Sequence, residues 1–304
     1  MDVSVIICTW NRKNILDKTL NHFSENIDTT SVDWELVVVN NNSTDNTGRL
    51  VRSFKDSLPI VHVYEPVQGL ARAHNTGIDS AQGELIIFTD DDVQPVEGWI
   101  EEYWRAYQKR QRGYFFGGPI ISQYEGTPPD ADLARVAPPS VVGLDLGEEP
   151  REIRLPKFIG PNWACPAKYL EQVGDFNENL GLNPEAEGVG VGEETDMMVR
   201  LKDVGINGWY VPGAKIKHRV PESKCTLEHA VSRSTAGMEE VYAGDAPMPF
   251  TILGIPVGLC KGALLSGIEW VWRKATGRWW KEEYASWVKQ KKMIESYYKY
   301  KVKK

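Results

Sequence analysis

The sequence predicts an α/β chain built on a doubly wound, mainly parallel sheet, with a helical appendage at its C-terminal end. Three observations predict it. Short apolar or β-branched runs of strand length recur at Val3–Cys8, Glu35–Val39, Ile60–Tyr64 and Leu85–Thr89,. Segments with helical spacing separate them, among them Ile15, Leu16, Leu20 and Phe23, and the run that opens at Gly69,. Three of the strands run into polar or acidic clusters near Thr9, Asn40 and Asp90. In a parallel sheet those ends line one edge, where α/β proteins bind ligands.

Taken in order, the first strand gives way to the loop Thr9-Trp10-Asn11-Arg12 and a helix from about Asn14 to Phe23,. The second strand ends in Asn40-Asn41-Asn42, a polar cluster that leads into a helix N-terminus,. After the fourth strand the pattern changes. Trp99–Arg110 reads as an amphipathic helix and Gly113–Ile121 as one strand,. Gly126–Pro156 is rich in Pro, Gly and charge and reads as a long mobile loop,. Gly192–Leu201 reads as a helix start, with Thr195 and Asp196 as first-turn residues and Met197, Met198, Leu201 and Val204 as its buried stripe,. Trp209–Pro212 reads as a short strand, the segment Ala214–Val220 follows it, and no internal repeat is present,.

With 304 residues, 41% hydrophobic and 25% charged, the composition is that of a folded globular chain,. The net charge of −7 is unevenly spread: from Lys261 onward 12 Lys/Arg face 4 Asp/Glu, a local +8 that leaves −15 for the rest. An acidic body argues against nucleic acid as a partner. A basic tail rich in Trp and Tyr suits an anionic membrane surface, so peripheral membrane association is expected there, with packing on the catalytic domain or a homodimer seam as the competing uses. Cys8, Cys165, Cys225 and Cys260 show no CxxC spacing and read as reduced thiols of a cytoplasmic protein,. Met1-Asp2 has no basic n-region, so no signal peptide is expected,. No run is long and apolar enough to span a bilayer,.

The chemistry concentrates at Asp90-Asp91-Asp92, three consecutive carboxylates at a strand end. Such packed negative charge stores repulsion unless a cation sits there. Mg²⁺ or Mn²⁺ held by one or two carboxylates and substrate phosphates meets that need.

The ordered set of motifs resembles the large family 2 of inverting glycosyltransferases, which have the GT-A fold. The matching segments are residues 5–12, Val39 to Asp45, Gly69 to Asn75, Gly83 to Asp92, Gly174-Asp175-Phe176, Gly192 to Asp196 with Arg200, and Val211 to Ala214 with His218. Together they span Val3 to about Val220. The resemblance implies that Asp90 and Asp92 are the outer positions of a DXD motif that grips the metal on a donor diphosphate. Asp91 would lie near the donor ribose, and His218 would be a third metal ligand, which favours Mn²⁺ over Mg²⁺. Glu194 matches the catalytic base, favoured in ionised form at a helix N-terminus. Because the family's usual Glu-Asp pair is here Glu-Glu, Glu193 and Asp196 stay as rivals. Thr9, Arg12, Asn40, Asn41 and Arg72 match positions near the nucleotide.

The resulting expectation is an inverting, metal-dependent transfer of a sugar from a nucleotide-sugar, a UDP-sugar first among candidates, to the hydroxyl of a glycan or lipid-linked acceptor in polysaccharide or glycoconjugate synthesis. Asn162 and Trp163 are expected to help shape the acceptor site. The catalytic domain is drawn as 1–245, with a nucleotide-sugar half (1–92) and an acceptor half (93–245), followed by a basic amphipathic region (246–304). Action would be cytoplasmic, at the inner face of the membrane. A nucleotidyltransferase of similar fold and an inactive glycan- or lipid-binding adaptor are the competing classes. Thr9-Trp10-Asn11-Arg12 is a poor phosphate loop for the first, and joint retention of Asp90, Asp92, Glu194 and His218 speaks against the second.

Overall fold

The computed structural model describes residues 1–27, 32–110, 112–154, 157–181, 192–236, 251–252 and 255–299. In chain order the elements are β1 (Val3–Thr9), α1 (Lys13–Asn26), β2 (Trp34–Asn40), α2 (Thr47–Ser53), β3 (Ile60–Tyr64), α3 (Leu70–Ser80), β4 (Leu85–Thr89), β5 (Val93–Pro95) and α4 (Trp99–Lys109). Next come β6 (Tyr114–Gly117), β7 (Ile120–Tyr124), α5 (Ala131–Ala134), α6 (Pro139–Val142), β8 (Arg151–Ile153), β9 (Trp163–Pro166), α7 (Ala167–Val173) and α8 (Glu193–Asp203). The remainder is β10 (Asn207–Tyr210), β11 (Ile216–Val220), α9 (Leu227–Ser234), β12 (Thr251–Ile252), β13 (Ile255–Pro256), α10 (Val257–Ala275) and α11 (Lys281–Tyr297).

Two compact units emerge. The larger comprises Met1–Gln123, Gly143–Glu187 and Val191–Arg219. Its central sheet has the order β3-β2-β1-β4-β9-β6-β10-β8. β3, β2, β1 and β4 are mutually parallel, as are β6 and β10, while β9 and β8 run against them. The apolar strands are continuous because both faces are covered. Val3, Val5 and Ile7 of β1 enter one core and Ile6 the other; Leu85 and Ile87 of β4 likewise oppose Ile86 and Phe88.

β1 and β4 meet with almost no space at their amino ends. A Cβ on Gly83 would stand 2.5 Å from the Val3 carbonyl carbon and collide with the Ser4 amide nitrogen. Ser4 Oγ donates to Glu35 Oε1 at 2.6 Å and accepts from the Gly83 amide at 2.8 Å, tying three strands together below the core. From there the register brings Ile7 opposite Thr89 and Thr9 opposite Asn40, so the loops after β1, β2 and β4 open along one edge.

Two secondary-structure expectations are corrected. Gly113–Ile121 is not one strand: it breaks at Gly118-Pro119 into β6, in the central sheet, and β7, in a second sheet of order β5-β11-β7. Proline cannot donate to a ladder, which suits the point where the chain changes sheets. Nor is 126–156 a structureless loop, since α5, α6 and β8 lie within it. Asp130 caps α5 by accepting the Leu133 amide at 2.7 Å, and Leu133 and Val141 are buried.

Asn162 and Trp163, expected at the acceptor site, are both fully buried. Trp163 stacks on Phe88 with ring centroids 4.5 Å apart. Asn162 Oδ1 accepts from Trp99 Nε1 (2.9 Å) and the Tyr103 hydroxyl (2.8 Å), and its Nδ2 donates to the Pro119 and Ala214 carbonyls (2.9 and 2.8 Å). Neither side chain can reach a ligand, so that assignment is withdrawn. Asn162 instead joins α4, the sheet-switching turn and the segment before β11. Asn162→Ala is expected to destabilise the chain by about 3 kcal/mol or more, since each buried partner left unsatisfied costs roughly 1–3 kcal/mol. Urea unfolding of the two proteins measures it.

The smaller unit comprises Tyr124–Val142, Gly188–Gly190 and Val220–Lys304; the boundary expected at 245 falls outside the described residues. Here α10 and α11 lie side by side in antiparallel order, Gly262 against Gln290, Gly267 against Trp287 and Trp270 against Tyr284. The start of α11 is fixed by α5 and its flank. The Asp132 carboxylate accepts the Trp280 amide at 3.1 Å, Lys281 pairs with Asp130 at 2.5 Å, and Arg135 pairs with Glu282 at 2.9 Å.

Candidate active site

The three carboxylates leave β4 at the open edge, and each is handled differently. Asp91 and Asp92 are almost fully buried. Arg12, delivered by the loop after β1, spans both, Nη1 to Asp91 Oδ1 at 2.5 Å and Nη2 to Asp92 Oδ2 at 2.7 Å. Thr9 Oγ1 donates to the other Asp91 oxygen at 2.7 Å, and Thr19 Oγ1 to the Asp91 carbonyl at 2.7 Å. Asp91 is thus the anchor of the turn. β11 pairs antiparallel with β5 and sets His218 opposite Val93, which brings Nε2 within 3.1 Å of Asp92 Oδ1.

Ligand atoms of Asp90, Asp92 and His218 all lie within 4.8 Å of one another. Burial first, then the charges of Asp92 and Asp91, raise the Asp90 carboxyl to about 7 against the opposing pull of His218 and Arg12. Burial opposes the charge on Asp92, but His218 and Arg12 outweigh it and hold that carboxyl well below the usual range. Asp92 Oδ1 and His218 Nδ1 are buried without a hydrogen bond of regular geometry. Two carboxylates and an imidazole, one carboxylate short of compensating charge, fit a divalent cation.

α8 supplies the second acidic group. It starts after Gly192, in a left-handed conformation (φ 98°), with Glu193, Glu194 and Asp196 in its first turn. Glu193 is buried against Gly181, where a Cβ would stand 2.9 Å from its Cδ. Glu194 is half-buried against Gly160, where a Cβ would stand 2.5 Å from its Oε1. Burial first, then the charge of Glu193, with Asp90 adding to them, pushes the Glu194 carboxyl well above the usual range. Desolvation thus opposes the ionised form that the helix N-terminus favours. Asp196 is committed elsewhere. It pairs with Arg200 at 2.9 Å, whose guanidinium also donates to the carbonyls of Val173, Gly174 and Asp175.

A cavity of about 170 Å³ opens at this edge, lined by Cys8, Thr9, Trp10, Arg12, Asn41, Gln68, Leu70, Ala73, Asp90 and Asp91. The expected residues Thr9, Arg12, Asn41, Asp90 and Asp91 thus converge, while Asn40 and Arg72 do not line it. Asn40 Oδ1 accepts the Ser43 amide at 3.0 Å, and Arg72 pairs with Glu178. The Asn41 amide is spent on the loop before α3, donating to Val67 O at 2.7 Å and accepting from the Gly69 amide at 3.0 Å. Trp10 and Gln68 were not foreseen. Trp10 is 40% exposed, and Gln68 carries a buried Oε1 with no partner at the cavity wall. An aromatic residue directly after a strand end was the available signal for Trp10; nothing local marked Gln68. Burial and the nearby charges of Asp90, Asp91 and Glu194 push the Cys8 thiol up, which leaves it inert,.

The sheet, its strand-end cavity and the acidic cluster are those of a GT-A type fold. The chain belongs to glycosyl transferase family 2, whose family model matches residues 4–173. Among curated relatives, validoxylamine A glucosyltransferase of Streptomyces hygroscopicus subsp. limoneus is 28% identical over 228 residues, 67% of this chain and 48% of that protein. The GalNAc(5)-diNAcBac-PP-undecaprenol β-1,3-glucosyltransferase of Campylobacter jejuni is 28% identical over 183 residues, 59% of this chain and 55% of that one. The chain spans about half the length of the curated relatives it matches. Among solved structures, the mannosyltransferase PcManGT of Pyrobaculum calidifontis, in complex with GDP-Man and Mn²⁺, aligns with TM-score 0.61 at 21% identity, covering 97% of this chain and 85% of that one. S. aureus TarS in complex with UDP-GlcNAc aligns with TM-score 0.56 at 16% identity, covering 72% and 59%. Both likenesses concern the fold.

Proposed function

We propose that the chain is an inverting, metal-dependent glycosyltransferase that moves one sugar from a nucleotide-sugar, with a UDP-sugar as first candidate, to an acceptor hydroxyl. The observation that supports this reading most is the Asp90, Asp92 and His218 set, whose ligand atoms lie within 4.8 Å of one another where β4 ends. Asp90, Asp92 and His218 would hold the cation, Mn²⁺ ahead of Mg²⁺ because one ligand is an imidazole. When bound, it neutralises charge on the diphosphate leaving group and acts as a Lewis acid. Arg12 keeps the Asp91–Asp92 turn rigid, and Thr9, Arg12 and Asp91 face the donor from the cavity. Glu194 takes the proton of the acceptor hydroxyl as its oxygen attacks the anomeric carbon opposite the diphosphate, which inverts that centre. A carboxylate with raised proton affinity is a better base at neutral pH than an ordinary one.

A glycan on a lipid-linked carrier is the acceptor class that agrees with the name of the Campylobacter relative, and it would be met at the cytoplasmic face of a membrane. The division at about 245 into catalytic and basic C-terminal regions belongs to the same proposal. The test is thermal stabilisation by UDP-, GDP-, CMP- and dTDP-sugars with and without Mn²⁺. At 100 times its Kd the right donor is expected to add about 2.7 kcal/mol, and only when metal is present. No stabilisation by any of them, and no release of nucleoside diphosphate, would overturn the reading.

A further inference from the structure

Helix α10 turns one apolar face to solvent along most of its length. Leu264, Leu265, Ile268, Val271 and Trp272 are 63, 55, 59, 57 and 45% exposed. At helical spacing they share about a third of the circumference with Val257 and Ala275,. The opposite face is used up against α11, where the Trp270 and Trp287 rings lie 5.1 Å apart. Between the two helices the exposed face dips into a groove of about 790 Å³ lined by Leu264, Ile268, Val271, Trp272 and Trp287 among others, none of them ionisable. A single exposed leucine means nothing, but a continuous patch of this kind marks an interaction surface.

Cations frame the patch. Lys261 precedes Leu264 by one turn on the same face; the Arg278 guanidinium lies 4.4 Å over the Trp272 ring, and Lys274 Nζ 4.7 Å over Trp280. None of these three forms an ion pair with a described carboxylate. Glu269, the acidic residue of α10, is engaged by Arg273 at 2.7 Å. No helix among the described residues is long and apolar enough to cross a membrane.

We propose that this face of α10 is a docking surface for an anionic lipid bilayer, with the helix lying in the headgroup layer. Leu264, Leu265, Ile268 and Val271 enter the acyl boundary, while Trp272 sits at the headgroup level. Lys261, Lys274 and Arg278 reach lipid phosphates through their long stems. A second copy of the chain is the poorer occupant. A two-fold contact through this face brings the same patch of each copy together, and so sets the cations around it near their own counterparts.

The test is co-sedimentation of the full chain with phosphatidylglycerol-containing vesicles and with neutral phosphatidylcholine vesicles. The expected result is binding to the anionic vesicles that weakens as salt is raised. Ile268→Glu or Leu264→Glu, on the exposed face, is expected to lower the partition coefficient at least about tenfold. Lys261→Gln and Arg278→Gln are expected to lower it about fivefold each. Failure of the full chain to sediment with anionic vesicles at low salt overturns the proposal, as does undiminished binding of the glutamate variants. A chain that is dimeric in sedimentation velocity, becomes monomeric with Ile268→Glu and ignores vesicles assigns the face to a second copy. Vesicle binding requires neither donor nor metal, so its failure is distinct from failure of the glycosyltransferase reading.

Discussion

Replacing Asp92 by asparagine is expected to lower sugar transfer by at least about 10³-fold while the chain stays folded. Asparagine keeps the volume and an oxygen for Arg12 Nη2, which now sits 2.7 Å from Asp92 Oδ2. It removes the charge of the carboxylate whose other oxygen is buried beside His218. Charge stabilisation by a cation at a phosphoryl leaving group amounts to several kcal/mol, and about 1.4 kcal/mol is a factor of ten in rate. Initial transfer rates give the loss, and circular-dichroism melting confirms the fold. Wild-type protein that transfers at full rate in excess EDTA would sink the metal assignment, whatever Asp92→Asn does.

The second large effect belongs to Glu194→Gln, expected to cost about 10²–10⁴ in the transfer rate, the usual share of a general base. Donor affinity should hardly change. The substitution keeps the contact with Gly160 and replaces only the proton-accepting oxygen. Its rivals are placed for other tasks. Glu193 is buried against Gly181, and Asp196 holds Arg200, which ties down the end of α7. Asp196→Asn should therefore lower the melting temperature more than the rate per folded molecule. If Glu194→Gln transfers normally while Glu193→Gln is dead, the base has been misassigned.

What could be read from the sequence follows burial. β1, β2 and β4 were legible because both their faces are covered, so each carries an apolar run that feeds two cores at once. The acidic cluster was legible because its three members are adjacent in the chain. The break between β6 and β7 was less so, since only the short Gly117-Gly118-Pro119 step marks it in an otherwise strand-like run. α5 and α6 are short, and Leu133 and Val141, one buried residue in each, hardly register against the Pro and Gly around them. Asn162 misled for another reason. It was expected at the acceptor site, whereas its partners Trp99, Tyr103, Pro119 and Ala214 lie far away in sequence and hold it inside the fold. The Arg12 bridge across Asp91 and Asp92 was hidden in the same way, by some 80 residues.

The close approach at Gly83 carries a consequence for inheritance. Asp90 begins seven residues farther along, about 20 Å away at strand rise, yet its height beside Thr9 depends on how near β4 can lie to β1 at the other end. One added carbon at Gly83 would wedge those strands apart at Ser4 and act on the carboxylates as through a lever arm. Alleles that abolish the proposed activity while preserving every acidic residue, Arg12 and His218 should therefore recur at Gly83, on the side of the sheet opposite the carboxylates.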